Sequence, residues 1–323
     1  MLGTERGEGM QRSESAFRVS APGSLMLLGE HAVLHGRRAL VCAVEQRLTL
    51  TLSPRTDRNF TVRSALGALE GTLDAPPSER RSLRFVQRSL APYLPSLTTG
   101  FDIRIDADFS DQIGFGSSAA VTLCVHAAMQ RILGRQIDRK GLFEAAYETV
   151  LALQGIASGA DLAASLWGGA GVYRIGRGIE PLWSDFPLCA VYSGVKSSTP
   201  EVVGIVETHR GRHPRLFERI FDSMDESVGI AARALCRHAL AEVGAILDIN
   251  HGLLSALGVS TERLDTIVHT LRRDPGIFGA KISGAGLGDC VVGLGRVEGV
   301  CALPTISITP AREGLRLDET GSR

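Results

Sequence analysis

The sequence predicts an α+β fold divided into two domains. Three observations predict it. A chain of 323 residues is longer than one ordinary core organises. Strand-like and helix-like segments follow one another in mixed order rather than as regular strand–helix repeats. The composition changes near Pro187, separating residues 16–186 from residues 187–323 and leaving a polar, Gly-rich leader over residues 1–15, read as disordered. Apolar residues at 44% and charged residues at 22% supply enough apolar surface for a sizeable core.

The elements follow in order. Phe17–Ser20 opens a strand that runs into the turn signal Ala21-Pro22-Gly23. Residues 39–52 alternate in part and are rich in Val, Leu and Thr, which predicts a strand pair. Residues 78–90 predict a helix with arginines outward, and residues 101–107 alternate as a half-buried strand. Residues 117–133 begin with small residues and continue at helical spacing, and residues 139–153 form a second helix. Strands are predicted at 170–175 and 188–193. Helices follow at 201–206, 214–247, 250–256 and 261–273, then strands at 281–283, 289–293 and 305–309.

Charge and cysteine usage exclude several classes of function. Lys plus Arg and Asp plus Glu number 35 each, without the basic excess of a nucleic-acid binder. Cys42, Cys124, Cys189, Cys236, Cys290 and Cys301 are far apart and form no CxxC pair. They read as reduced thiols of a cytoplasmic protein rather than as zinc or redox motifs. No apolar run reaches the roughly 18–20 residues of a spanning helix, so no membrane partner is expected. The leader lacks the apolar centre of a secretion signal.

The densest chemical signal is Ile113-Gly114-Phe115-Gly116-Ser117-Ser118-Ala119-Ala120. Its glycines let the backbone approach a ligand closely. The helix that starts at Ser117 offers unpaired N–H groups and the positive end of its dipole to an anion. Phosphate is the natural occupant, and the hydroxyl of Ser117 or Ser118 suits Mg2+. No lysine follows the glycines, so this is not the GxxxxGK[ST] loop. Alone, the run also reads as a tight turn with serine capping a core helix.

Two further segments change its meaning: APGSLMLLGEHAVLHG at residues 21–36 and KISGAGLGDC at residues 281–290. The three in this order resemble the motifs of the GHMP kinases, the superfamily of galactokinase, homoserine kinase, mevalonate kinase and phosphomevalonate kinase. The resemblance runs from about Phe17 to Thr309. It implies a GHMP kinase fold, with an N-terminal mixed α/β domain carrying the phosphate loop and a C-terminal ferredoxin-like α+β domain. It also implies transfer of the γ-phosphoryl group of ATP, with Mg2+, to a small alcohol. GEHAVLHG is most similar to the mevalonate kinases, so mevalonate is the expected substrate, in isoprenoid precursor synthesis.

The resemblance assigns residues as well. Gly114, Gly116, Ser117, Ser118 and Ala119 would hold the nucleotide, with Gly284 and Gly286 of the third motif beside them. His31 would approach the substrate and Glu30 would support it, although His31 could also be a hydrogen-bonded structural residue. Ser158-Gly159-Ala160-Asp161 followed by Trp167-Gly168-Gly169 is similar to the segment that carries the catalytic aspartate. A carboxylate there orients the attacking hydroxyl and accepts its proton, so Asp161 is the expected base. Its alternative role is a helix N-cap. Ser118 is the expected Mg2+ ligand.

The chain departs from the pattern at three places. Ser24 stands where the family usually carries a lysine, at the substrate end of the first motif. A cation lost beside a developing phosphoryl charge needs a replacement; Lys196 is the expected one, ahead of Lys281. The second magnesium ligand of the family, a glutamate, corresponds to Val150. Glu148 is the substitute considered, with Glu144 one helical turn earlier. Ser110 and Phe115 replace a proline and a leucine of the second motif, changes that look tolerable.

Three readings stay open at this point. One is a mevalonate kinase. The second is a phosphomevalonate kinase or another GHMP kinase for a sugar or small alcohol. A phosphorylated substrate would need a basic cluster such as Arg37, Arg38 and Lys196. The third is a GHMP-fold ligand sensor without catalysis, for which the loss of lysine at Ser24 argues and the retention of Asp161 argues against. A homodimer is also left open.

Overall fold

The computed structural model describes residues 15–75, 77–110, 114–182, 185–298 and 304–319. Most of the expected leader, Ile113 of the glycine-rich run and Cys301 lie outside the described residues.

The first half is built on one large sheet. Strand β1 (Phe17–Leu28) lies antiparallel to β2 (Ala39–Pro54) along its whole length. Ala21-Pro22-Gly23, expected as a turn, instead lies inside β1. Bulges fall between Pro22 and Gly23 and between Met26 and Leu28, which is where a strand accommodates a proline. Residues 39–52, expected as a strand pair, form one continuous strand. Its length lets it take two neighbours on one side: residues 48–54 pair with β5 (Phe101–Ala107) and residues 39–42 with β6 (Ala170–Arg174). The hairpin β3 (Asn59–Ser64) and β4 (Gly67–Thr72) continues the sheet beyond β5, and β7 (Gly178–Leu182) pairs with β6. These short polar strands carry too little alternation to be read from sequence.

Helices α1 (Arg84–Leu90), α2 (Ser117–Ile132), α3 (Arg139–Gln154) and α4 (Ala160–Trp167) belong to the same half. Helix α2 is the central one. Ala119, Ala120, Leu123, Cys124, Ala127 and Ala128 are all buried, so its small residues let it lie close over the sheet.

The second half holds an antiparallel four-stranded sheet in the order β11-β8-β10-β9, from β8 (Leu188–Tyr192), β9 (Ile277–Ser283), β10 (Cys290–Gly295) and β11 (Ile306–Ile308). Numbered within this half, the order is 4-1-3-2, the ferredoxin-like arrangement that was expected. Between β8 and β9 run α5 (Thr199–Arg212), α6 (Pro214–Cys236), α7 (Leu240–Ala256) and α8 (Glu262–Arg272). The single helix expected over residues 214–247 is broken after Cys236, because His238 takes a left-handed conformation (φ 57°) and the N–H of Ala239 turns back to the carbonyl of Ala234. No glycine or proline marks the break. The helix expected at 250–256 is the end of α7.

Pro187 falls where the chain passes from one sheet to the other. The chain does not stay in the second half, however. Its last strand, β12 (Arg316–Glu319), pairs with residues 17–20 of β1. The described residues after Pro187 are therefore not one separate unit, since β12 lies in the same sheet as β1. Val228, Ala231 and Ala234 of α6 belong to the same apolar core as β1 and α2.

Candidate active site

A cleft of about 1080 Å³ lies between the halves. Its lining brings together Glu30, His31, Gly114, Gly116, Ser117, Ser118, Ala119, Asp161, Lys196 and Gly284, residues drawn from all three motifs.

The glycine-rich run forms its floor. Gly114 (φ 81°) and Gly116 (φ 64°) are both left-handed, and Gly116 is the N-cap of α2. Phe115 between them turns inward and is buried, while its carbonyl accepts from the N–H of Ser24 at 3.1 Å. A Cβ at Gly116 would stand 2.0 Å from Ser24 Oγ, so only glycine lets the first motif lie against the loop here.

Ser24 itself is buried, and its hydroxyl donates to Asp161 Oδ1 at 2.8 Å. Asp161 sits in the first turn of α4, whose N-cap is Gly159. It is therefore not the capping residue of this helix. Its carboxylate is open to the cleft but flanked by protein. That desolvation raises its pKa above the ordinary aspartate value, and the Ser24 hydroxyl opposes the rise.

His31 is buried in a left-handed conformation (φ 60°), rare for a residue with a Cβ. Its Nε2–H donates to the carbonyl oxygen of Ala285 at 2.8 Å, tying the first motif to the third. A carbonyl can only accept, so Nδ1 is the acceptor nitrogen of a neutral ring. Nδ1 is buried without a partner among the described residues. Burial lowers the pKa of His31, which keeps the ring neutral.

Glu30 differs from the expectation. Its carboxylate is fully buried and bound by Lys281 Nζ, with the Asn250 amide at 3.5 Å on the other oxygen. Burial pushes Glu30 up and Lys281 down, each opposed by its partner. Burial and Lys281 therefore close Glu30 off from a ligand; it fixes the first motif to β9. The same pair removes Lys281 as a replacement cation. Glutamate followed by histidine in a motif carries no sign of a lysine 251 positions away, which is why this pairing escaped the sequence.

Other expected residues also fall elsewhere. Glu144 and Glu148 are exposed on α3 and do not line the cleft, whereas Val150 and Gln154 do. Two residues on a helix separate side chains by about 200°, so a face that turns Val150 inward turns Glu148 out. Gly286 backs onto Val259 rather than the cleft, since a Cβ there would lie 2.5 Å from the Val259 carbonyl oxygen. Arg37 pairs with Glu218 and Asp222, and Arg38 with Asp225, so both are held by α6 away from the cleft. Lys196 lies on an exposed loop at the cleft and attracts the carboxylate of Asp289.

The donor set suits a hard cation carried in with phosphates. The floor offers the hydroxyls of Ser117 and Ser118, with the carboxylates of Asp161 and Asp289 beside it. No group of three or more His, Cys, Asp or Glu among the described residues could cage a metal alone, and Mg2+ in nucleotide sites takes few protein ligands. No helix among the described residues is long and apolar enough to cross a membrane.

Residues 80–169 match the GHMP kinase N-terminal domain, residues 231–299 the GHMP kinase C-terminal domain, and residues 9–54 the galactokinase galactose-binding signature. A mevalonate kinase of Archaeoglobus fulgidus is 33% identical over 304 residues, 93% of this chain and 99% of its own length. A mevalonate kinase of Pyrococcus horikoshii is 30% identical over 329 residues, 93% of this chain and 97% of its own. The crystal structure of Methanococcus jannaschii mevalonate kinase shares the fold, with a TM-score of 0.79 at 23% identity over 92% of this chain and 99% of its own. The chain belongs to the GHMP kinases, phosphotransferases that act on an alcohol, and groups within them with the mevalonate kinases.

Proposed function

We propose that this enzyme transfers the γ-phosphoryl group of ATP to mevalonate, giving 5-phosphomevalonate, with Asp161 as the base. One observation carries the reading: Asp161 stands open to the cleft beside the glycine-rich floor, with one oxygen held by Ser24. The other oxygen is then available to accept the proton of an attacking hydroxyl. The phosphates of ATP rest over the N–H groups at the start of α2, where the helix dipole favours them. Ser118 would hold Mg2+, which when bound would offset the charge of the phosphates. Lys196 supplies the cation that Ser24 does not, and Gly284 borders the same space. His31 borders the space in which the substrate binds, held in place by its bond to Ala285.

Mevalonate is favoured over its phosphorylated product for a specific reason. A substrate phosphate would need a basic cluster, and Arg37 and Arg38 are already occupied by acids of α6. The similarity to named mevalonate kinases supports the same choice. We extend the reading to a cytoplasmic enzyme, which the five cysteines outside any disulfide among the described residues favour. The test is direct: with MgATP and mevalonate, the product is identified by phosphorus NMR and mass. A phosphate on the primary alcohol is expected, and unreacted mevalonate would overturn the proposal.

A further inference from the structure

We propose that Asp289 supplies the carboxylate that, together with Ser118, holds the divalent cation of the bound nucleotide. This rests on the phosphoryl-transfer reading above. A nucleotide-bound magnesium bridges phosphate oxygens and takes one or two further oxygens from the protein, usually with a carboxylate among them. Four carboxylates line the cleft among the described residues: Glu30, Asp106, Asp161 and Asp289.

Three of them are committed elsewhere. Glu30 is closed off by Lys281. Asp106 points into solvent at 56% exposure and pairs with Arg104 at 2.8 Å. Asp161 carries the Ser24 hydroxyl and serves as base. Asp289 remains, and it is in the right place. A Cβ built on Gly114 of the phosphate loop would lie 3.2 Å from Asp289 Cβ and 3.9 Å from its Oδ1. Asp289 Oδ2 accepts from Ser197 Oγ at 3.0 Å, which leaves Oδ1 as the oxygen on the side of the loop.

The backbone gives a second, independent argument. Asp289 is left-handed (φ 57°), a conformation that glycine enters freely and aspartate only at a cost. It is held there from both sides: its N–H donates to the Val195 carbonyl at 2.7 Å, and its carbonyl accepts from the Ser193 N–H at 2.8 Å. Glycine would take this position without strain. A carboxylate kept at a strained position, against the phosphate loop, points to a role for the charge. Aspartate is also the acid that enters this region at least cost. The simpler alternative is that Asp289 only tethers the loop carrying Lys196, through Ser197.

The two roles separate by calorimetry of ADP binding, measured with excess Mg2+ and again with EDTA. The ratio of the two affinities is the gain that the metal brings. Asp289→Asn keeps an acceptor for Ser197 and removes the charge; it should lose about tenfold or more of that gain, with affinity in EDTA unchanged or higher. Ser197→Ala removes the tether and keeps the charge, and it should retain the gain. Asp289→Gly, which suits the left-handed backbone, gives the same readout if the asparagine variant does not fold. A full gain in both Asp289 variants would overturn the proposal, as would an equal loss in Ser197→Ala. No ADP binding by the unaltered protein under either condition would instead overturn the phosphoryl-transfer reading, and this proposal with it.

Discussion

The Ser24 hydroxyl donates to Asp161 Oδ1 at 2.8 Å, across 137 positions of sequence, directly beneath Gly116 of the phosphate loop. A neutral donor thus stands on the proposed base at the position where the family pattern usually carries a lysine. A hydroxyl can orient a carboxylate and stabilise its charge by about 1.5–3 kcal/mol, but it cannot balance a growing phosphoryl charge. In the proposed mechanism, Ser24 orients the carboxylate and Lys196 supplies the charge. Ser24→Ala should lower kcat about tenfold. It should also move the acid limb of the pH–rate profile to higher pH, because the hydroxyl is what opposes the rise in the pKa of Asp161. An unmoved acid limb would remove Ser24 from this role. Ser24→Lys probes the same point: higher activity means that the site still wants the cation, and lost activity means that it is built around serine.

Asp161→Asn should cut kcat by a factor of about 10²–10⁴, the usual contribution of a positioned base, and leave ATP affinity nearly intact. Equal turnover by the variant in a single-turnover experiment would exclude Asp161 as the base.

How far the site was legible follows from the range of its interactions. The loop Gly114–Ala119 could be read because its chemistry is local: glycines, small residues and a helix start within a few positions. The partnership of Ser24 with Asp161, and of Glu30 with Lys281, could not, since each joins segments more than 130 positions apart. The fold divides in the same way. Residues 101–107 and 117–132 carry strong periodicity and match their elements closely. The long strand β2 was misread as two because its pattern changes where its neighbour changes from β6 to β5. Strand β12 is short and its place at β1 depends on the whole fold.

Gly116→Ala should weaken nucleotide binding and disturb Asp161 together. The added methyl would meet Ser24 Oγ, and the φ of 64° is unfavourable to alanine by about 1–2 kcal/mol. Nucleotide affinity and kcat should therefore both fall; a drop in affinity alone would contradict the coupling between loop and base.

Lys281→Met should destabilise the enzyme by about 3–5 kcal/mol, because it leaves the Glu30 carboxylate buried without its cation. Adding Glu30→Leu should recover much of the loss. Denaturant unfolding of the single and double variants measures it, and a double variant no better than the single would contradict the pairing.

His126 predicts a pH effect on stability. It lies buried between the Tyr93 hydroxyl at 2.9 Å and the Thr149 hydroxyl at 2.9 Å, and desolvation lowers its pKa from 6.5 to about 4. The folded state resists protonation that the unfolded chain accepts. The stabilisation is therefore complete above pH 6.5 and is lost as pH falls toward 4. The loss is about 3 kcal/mol. His126→Leu should flatten this part of the stability profile, and an unchanged slope would exclude the histidine as its source.

The central claim is tested most directly by kcat/KM for ADP formation with mevalonate, phosphomevalonate and galactose, measured side by side on the unaltered enzyme and on Asp161→Asn. The account predicts turnover of mevalonate far above the other two and its collapse in the variant. Preference for phosphomevalonate or galactose, or full activity without the Asp161 carboxylate, would contradict it.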